Sequence, residues 1–257
     1  RGVEATKEGQ EFLIEAEGII RKLDELEHKY SRDEEETTEL RIAIPRASYI
    51  AHAFTNYIMG KQNCDKMTMQ VDETSTANAI KQVEDQTSSL GIVRYNLRYD
   101  EYFRALFRVR ELECTHLMDF SYRLLVSEKS KLLDKKQLVD ADLESFIEIL
   151  HGDNTLPNGE YVDISAGNTK LSNQKRIYVY ERGSQFDLLN KITNTFMWVS
   201  PMPQDLLDRN FLATIHCDFM EKDMCDMLIC RNGHRYTKEE KNFIKEINKV
   251  LAEFAIE

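Results

Sequence analysis

Apolar positions near the start of the chain fall at Phe12, Ala16, Ile19, Leu23, Leu26 and Tyr30, a 4-3-4-3-4 spacing. That is one face of an amphipathic helix or a short coiled-coil seam. Because fewer than three heptads are present, packing within the chain is the expected use. An acidic link, "SRDEEETTEL", follows. "IPRASYIAHAFTNYIMGK" predicts a second helix, with Pro45 suited to the first turn, Gly60 to the end, and Ile50, Phe54, Tyr57 and Ile58 on one face. From Lys61 to Ser89 the chain turns polar and predicts a long loop or a solvated helix. "YDEYFRALFRVRELECTHLMDFSYRLLV" then reads as the strongest helix. Tyr102, Leu106, Val109, Leu117, Phe120 and Leu124 lie near one face, widened by Phe103, Phe107, Leu112 and Cys114.

A lysine-rich link, "SEKSKLLDKKQ", marks the expected domain boundary, with a helical region over 1–135 and an α+β domain over 136–257. In the second part, "DADLESFIEILHG" predicts a short helix with Asp140 and Asp142 at its start and Gly152 after its end. "LPNGEYVDIS" predicts a turn and short strand, and "KRIYVYERG" a strand. "SQFDLLNKITNTFMWV" reads as helix and "SPMPQ" as loop, while "FLATIHCDF" and "MCDMLICRNG" read as a β-hairpin inside a covered sheet. The last helix opens with Thr237 and Glu240 in capping-box register. The expected fold class is α+β: a helical N-terminal part, then a domain with a mainly antiparallel sheet flanked by helices.

The closing "DMLICRNGHRYTKEEKNFIKEINKVLAEFAIE" resembles the end of a GAF domain. The residues that carry the resemblance are Leu228, Ile229, Tyr236, Thr237, Glu239, Glu240, Phe243, Ile247, Leu251 and Ala255. It covers roughly the last 35 residues well, and reaches back to about Lys175 loosely. The resemblance implies a small sensor fold with a central antiparallel sheet, which binds a small molecule or acts as a dimerising relay. It carries no catalytic signature.

Composition narrows the functions. The chain has 257 residues, 42% of them hydrophobic and 31% charged, which is globular rather than disordered. It begins at Arg1 and is read as a piece of a longer protein. A net charge of −11 argues against general binding of nucleic-acid backbones. No apolar run approaches bilayer-spanning length. Five cysteines, odd in number and irregular in spacing, fit reduced thiols and a cytoplasmic setting.

Two groupings qualify as candidate sites. His216, Cys217, Cys225, Cys230 and His234 crowd one stretch, but without a Cys-x-x-Cys knuckle, and buried structural cysteines are the favoured reading over a metal site. Arg94, Arg98, Arg104, Arg108 and Arg110, among Tyr95, Tyr99 and Tyr102, could clamp an acidic peptide, a phosphate or single-stranded nucleic acid, an acidic protein partner ahead of nucleic acid. A solvated helix face, with Asp100, Glu101, Glu111 and Glu113 alongside, is the favoured reading there. His116 and Asp119 read as a satisfied pair, and Trp198 and Met197 as core. Motifs of nucleophilic catalysis, phosphate binding and dinucleotide binding are missing from the sequence, as is His-Glu-x-x-His. No catalytic residue and no cofactor is expected. The function expected is a non-enzymatic regulatory module that binds a small ligand or a protein partner, or associates with itself, and relays through its terminal helices. A pure scaffold and an enzyme of unfamiliar type are the alternatives.

Overall fold

The structure is a computed structural model that describes residues 6–30, 38–152, 175–180, 182–220 and 223–254. Its first element, α1 (Lys7–Tyr30), is a long helix. The supposed acidic link ends in strand β1 (Thr38–Ile44), where Leu40, Ile42 and Ile44 are buried and Glu39 and Arg41 point outward. α2 (Ser48–Met59) starts three residues after Pro45 and is closed by Gly60, as its punctuation predicts. The polar stretch after it holds β2 (Met67–Glu73) and α3 (Thr76–Glu84), a helix capped by Ser75 that buries Ala79, Ile80 and Val83. It is neither a loop nor solvated.

β3 (Leu90–Asn96) leads into α4 (Asp100–Val109), and here the expected long helix breaks. Arg110 caps it and Glu111 takes a left-handed φ of 53°, which a continuing helix forbids. The remaining residues form β4 (Leu112–Phe120) and β5 (Arg123–Ser127). The expected helix at 140–152 reduces to a 3-10 turn, Asp140–Leu143, before β6 (Ile147–His151). The "LPNGEYVDIS" turn and strand lie outside the described residues. β7 (Arg176–Val179) is a strand as expected. "SQFDLLNKITNTFMWV" splits into α5 (Gln185–Lys191) and β8 (Thr195–Val199), then α6 (Gln204–Arg209) follows the Pro-rich loop. β9 (Leu212–Ile215), β10 (Met224–Arg231) and α7 (Lys238–Phe254) complete the chain.

The architecture is α/β with two mixed five-stranded sheets, ordered β2-β1-β3-β10-β4 and β7-β6-β8-β5-β9. The helical N-terminal part and the mainly antiparallel single sheet are therefore corrected. Both sheets share one plan. Three strands run parallel, a fourth is antiparallel to them, and an edge strand pairs antiparallel with the fourth. In each sheet the fourth strand is out of sequence order, so the chain passes twice between the lobes. One crossing, Ser121–Tyr122, follows β4 and the other precedes β10; Phe120 at the end of β4 pairs with Met224 at the start of β10. β9 and β10 consequently belong to different sheets and form no hairpin. β5, which precedes residue 135, shares its sheet with β8 and β9.

The first lobe buries both faces of its sheet. α2 and α7 cover Leu40, Ile42, Ile92 and Leu228 with Tyr49, Ile50, Phe243 and Ile247. α3 and α4 cover Val93, Tyr95, Met227 and Ile229 with Ile80, Val83, Phe103 and Phe107. Each such side chain contributes about 1.5–3 kcal/mol by leaving water. The second lobe packs Phe196 and Trp198 on one face and Met197, Leu189 and Leu207 on the other. The capping box on α7 forms as read: Glu240 N donates to Thr237 Oγ1 (3.2 Å), and Thr237 N donates to Glu240 Oε2 (2.8 Å). The packing within the chain that was expected for the apolar face of α1 is not found, because Phe12, Ile19 and Leu23 are exposed along it. Among the described residues no helix is long and apolar enough to cross a membrane.

Candidate functional site: the cleft between the lobes

In a parallel sheet the loops after the strands gather at one end, and helices that follow them begin there. Here the two sheets turn those ends toward each other. From the first lobe come the β1–α2 loop with Arg46, the start of α2 at Ser48, and the end of β2 at Glu73. From the second come Tyr180 and Arg182, in the loop between β7 and α5. Arg46 Nη2 donates to the Tyr180 carbonyl (3.3 Å). Arg182 Nη2 donates to Ser48 Oγ (2.9 Å), and its Nη1 donates to the Glu73 carboxylate. Farther out, His52 Nδ1 of α2 approaches Asp205 Oδ1 of α6 at 3.7 Å.

Tyr180 is held over Gly152. A Cβ on residue 152 would lie 2.4 Å from the Tyr180 ring, so glycine is what permits this approach.

Under the cleft sits a buried polar network. Arg94 of β3 donates to both oxygens of Asp226 of β10, Nε to Oδ1 (2.8 Å) and Nη2 to Oδ2 (2.7 Å). Tyr49 Oη of α2 donates to Asp226 Oδ2 (2.6 Å). The guanidinium lies 4.7 Å from the centre of the Phe120 ring, at the first crossing. Burial works against the Arg94 charge, but Asp226 outweighs it and holds the guanidinium above its ordinary pKa. Burial and the adjacent carboxylate push the Tyr49 hydroxyl well above its own. The network thus ties α2, β3, β10 and the crossing together.

Electrostatics ties the two layers. Burial, with the charges of Arg46 and Arg94, draws the Arg182 pKa down, against the opposing pull of Glu73. Arg182 therefore feels both Arg46 and Arg94 where the lobes meet, with Glu73 opposing them. α2 also begins without a side-chain cap on Ala47 and without an acidic residue in its first turn, which leaves its positive dipole end uncompensated.

The candidate residues read from the sequence scatter. Arg94 is buried in the network described above. Arg98 (Nε to Asn96 Oδ1, 2.9 Å), Arg104 (Nε to Asp100 Oδ2, 2.6 Å) and Arg108 (Nε to the Arg104 carbonyl, 3.3 Å) are solvent-facing on and before α4. The five metal candidates are not brought together. His216 is exposed near Asp218 (3.6 Å), Cys217 is core of the second lobe, and Cys230 lies against Tyr236 Oη (3.5 Å). His234 binds Glu240 (2.8 Å). Burial pushes the Cys217 thiol up to about 12. Cys225 faces the α3/α4 side of its sheet, opposite Cys230, beside Asp119 and His116. Sequence reasoning missed Arg46, Ser48, Glu73 and Arg182. They lie on three separate segments and share no motif, so only the fold joins them.

No protein-family profile matches the sequence, and no curated protein matches it. Solved structures do. A full-length BenM mutant superposes with a TM-score of 0.57 over 99% of this chain and 81% of that one, at 14% identity. The effector-binding domain of QuiR, in complex with shikimate, gives 0.51 over 85% and 99%, at 12% identity. The regulatory domain of MetR, a LysR family regulator from N. meningitidis, gives 0.53 over 85% and 94%, at 13% identity. These likenesses overturn the GAF resemblance, which rested on a strand, a turn and a capped helix that recur in many α/β folds. Over about 85% of its length, the chain has the two-lobed fold seen in the effector-binding domain of QuiR and in the regulatory domain of MetR, a LysR family regulator.

Proposed function

We propose that this chain is the effector-binding, non-enzymatic part of a transcription regulator, and that its effector is a small anion, a carboxylate above all, held between the lobes. The observation that carries this reading is that Arg182 reaches across from the second lobe to Ser48 at the uncapped start of α2, with Arg46 beside it on the same lobe junction. Guanidinium pairs and helix N-termini are what carboxylates bind. QuiR, of like fold, was solved with the ring carboxylate shikimate. Arg182 gives donors to Glu73 and Ser48, so an anion would compete for them and reset how the lobes meet.

α2 supplies a relay. Its start lines the cleft, and near its other end Tyr57 and Lys61 both donate to Glu239 in the first turn of α7. Movement at Ser48 therefore reaches a terminal helix through one rigid element. A cytoplasmic setting belongs to the same reading, with all five cysteines unpaired.

The test is calorimetric titration of the purified chain with a panel of small mono- and dicarboxylates, shikimate included. At least one is expected to bind at one per chain, and Arg46→Ala should weaken it by about tenfold or more, the worth of one charge-assisted hydrogen bond. A panel without binders, or binding unaffected by Arg46→Ala and Arg182→Ala alike, would reject the reading in favour of a scaffold acting through its surfaces.

A further inference from the structure

The alternation of a β-strand sends residues three apart to opposite faces, so His116 and Asp119 should diverge. They do not. The pairing of β4 with β10 slips between Asp226 and Met227: Met118 faces Asp226, whereas His116 faces Met227, which leaves Leu117 as an extra residue. This is a β-bulge, the device by which strands re-aim side chains. Leu117 and Met118 both pack toward the α2/α7 side, and His116 and Asp119 fall together on the other. Asp119 is the direct cross-strand partner of Cys225, so the thiol joins them.

From this geometry we infer a divalent transition-metal site, zinc by preference, formed by His116 Nε2, an Asp119 carboxylate oxygen and Cys225 Sγ. All three donor atoms lie within 4.8 Å of one another. A tetrahedral ion at ordinary zinc–ligand lengths needs its donors roughly 3.3–3.8 Å apart. His116 and Asp119 share a hydrogen bond of 2.8 Å, which must open by under an ångström, while the separations from the Cys225 sulfur, each at most 4.8 Å, close into the same range. Side-chain rotation on the edge strand β4 supplies both.

The donor set of one nitrogen, one oxygen and one sulfur suits zinc's borderline softness, and three protein ligands leave a fourth position for water or a ligand. The site is half open: the thiol is buried, and His116 and Asp119 sit over it at the surface. On binding, the ion takes the thiol's place of attachment from its proton, which leaves to solvent. The Asp119 carboxylate, which disfavours a bare thiolate beside it, favours a cation there. Tyr95, in contact with the thiol and donating its Oη to Asp100 (2.9 Å), backs the sulfur from the core side. This site lies on the α3/α4 side of the first lobe, away from the cleft residues, so it stands or falls separately from the effector reading.

The experiment titrates the metal-free chain with zinc and, in parallel, with cobalt(II), which reports thiolate ligation by a near-ultraviolet charge-transfer band. One equivalent of either ion is expected. The cobalt band should persist in Cys64→Ala and vanish in Cys225→Ala, and zinc affinity should fall by roughly tenfold or more in His116→Ala and Asp119→Asn. The last two substitutions are at the surface and leave the core intact, so they decide the matter even if Cys225→Ala unfolds. Absence of binding, survival of the band in Cys225→Ala, or unchanged affinity in both surface variants overturns the inference.

Discussion

Arg94 and Asp226 form a two-pronged ion pair across β3 and β10, and the Asp226 side chain is completely buried. Neither partner tolerates the loss of the other. Asp226→Ala would strand a buried guanidinium and should cost about 3–5 kcal/mol in denaturant unfolding. A double replacement by packed apolar residues, Arg94→Met with Asp226→Leu, should cost less than Asp226→Ala alone. If the single and double variants unfold at the same denaturant concentration, the pair is not what holds this layer together.

Arg182 and Glu73 are a different kind of pair. Both are about a quarter exposed, so solvent screens them, and the bond should add at most about 1 kcal/mol to stability. Its consequence is geometric, because it joins the lobes. Glu73→Gln should leave the unfolding midpoint nearly unchanged while altering the separation of the lobes, as read by small-angle scattering. A large stability loss with unchanged scattering would speak against a latch.

Glu240 gives a pH dependence with a definite sign. Burial opposes its charge, but His234, Ser89 and the Thr237 amide outweigh it and hold the carboxyl below its ordinary value of 4.5. A carboxyl lowered in the folded state contributes stability that is complete above about pH 4.5 and is lost as pH falls through the folded value. Glu240→Gln should therefore be less stable than the parent at neutral pH and converge on it under acid. Thr237→Ala, which removes the other half of the cap, should cost about 1 kcal/mol. Thermal melts across pH for the three proteins check both.

Gly91 marks a close approach between β3, α3 and β10. A Cβ there would lie 2.9 Å from Ile229 Cγ1 and 2.9 Å from Val83 Cγ2, below any normal contact. Gly91→Ala should destabilise by about 1–3 kcal/mol through overpacking. Removing a clashing atom, as in Gly91→Ala with Val83→Ala, should recover part of that loss.

What could be read from the sequence was local. Pro45, Gly60, Thr237 and Glu240 are punctuation, and the helices they bound stand where they place them. The apolar spacing from Leu106 to Leu124 misled because it fits a helix almost throughout. The bulge at Leu117 gives β4 three-residue steps that imitate helical ones, and the true stop is the left-handed Glu111, a residue with no special tendency to halt a helix. β1 was hidden because Glu39 and Arg41, its outward residues, blend with the acidic segment before it. The hairpin expected at the end failed for a topological reason: β9 and β10 are neighbours in sequence but complete different sheets. The cleft is the extreme case. Arg46, Glu73 and Arg182 become one site only when two sheets face each other, and no local pattern records that.

A small anion held between the lobes at Arg46, Ser48 and Arg182 should slow backbone exchange around them. Hydrogen–deuterium exchange of the chain, with and without the tightest carboxylate from the calorimetric panel, tests it most directly. Protection should appear in residues 45–50, around Thr74, and in 182–188, with a weaker change at the start of α7. Protection confined to the outer helices α3 and α4, or none at ligand saturation, would contradict the account.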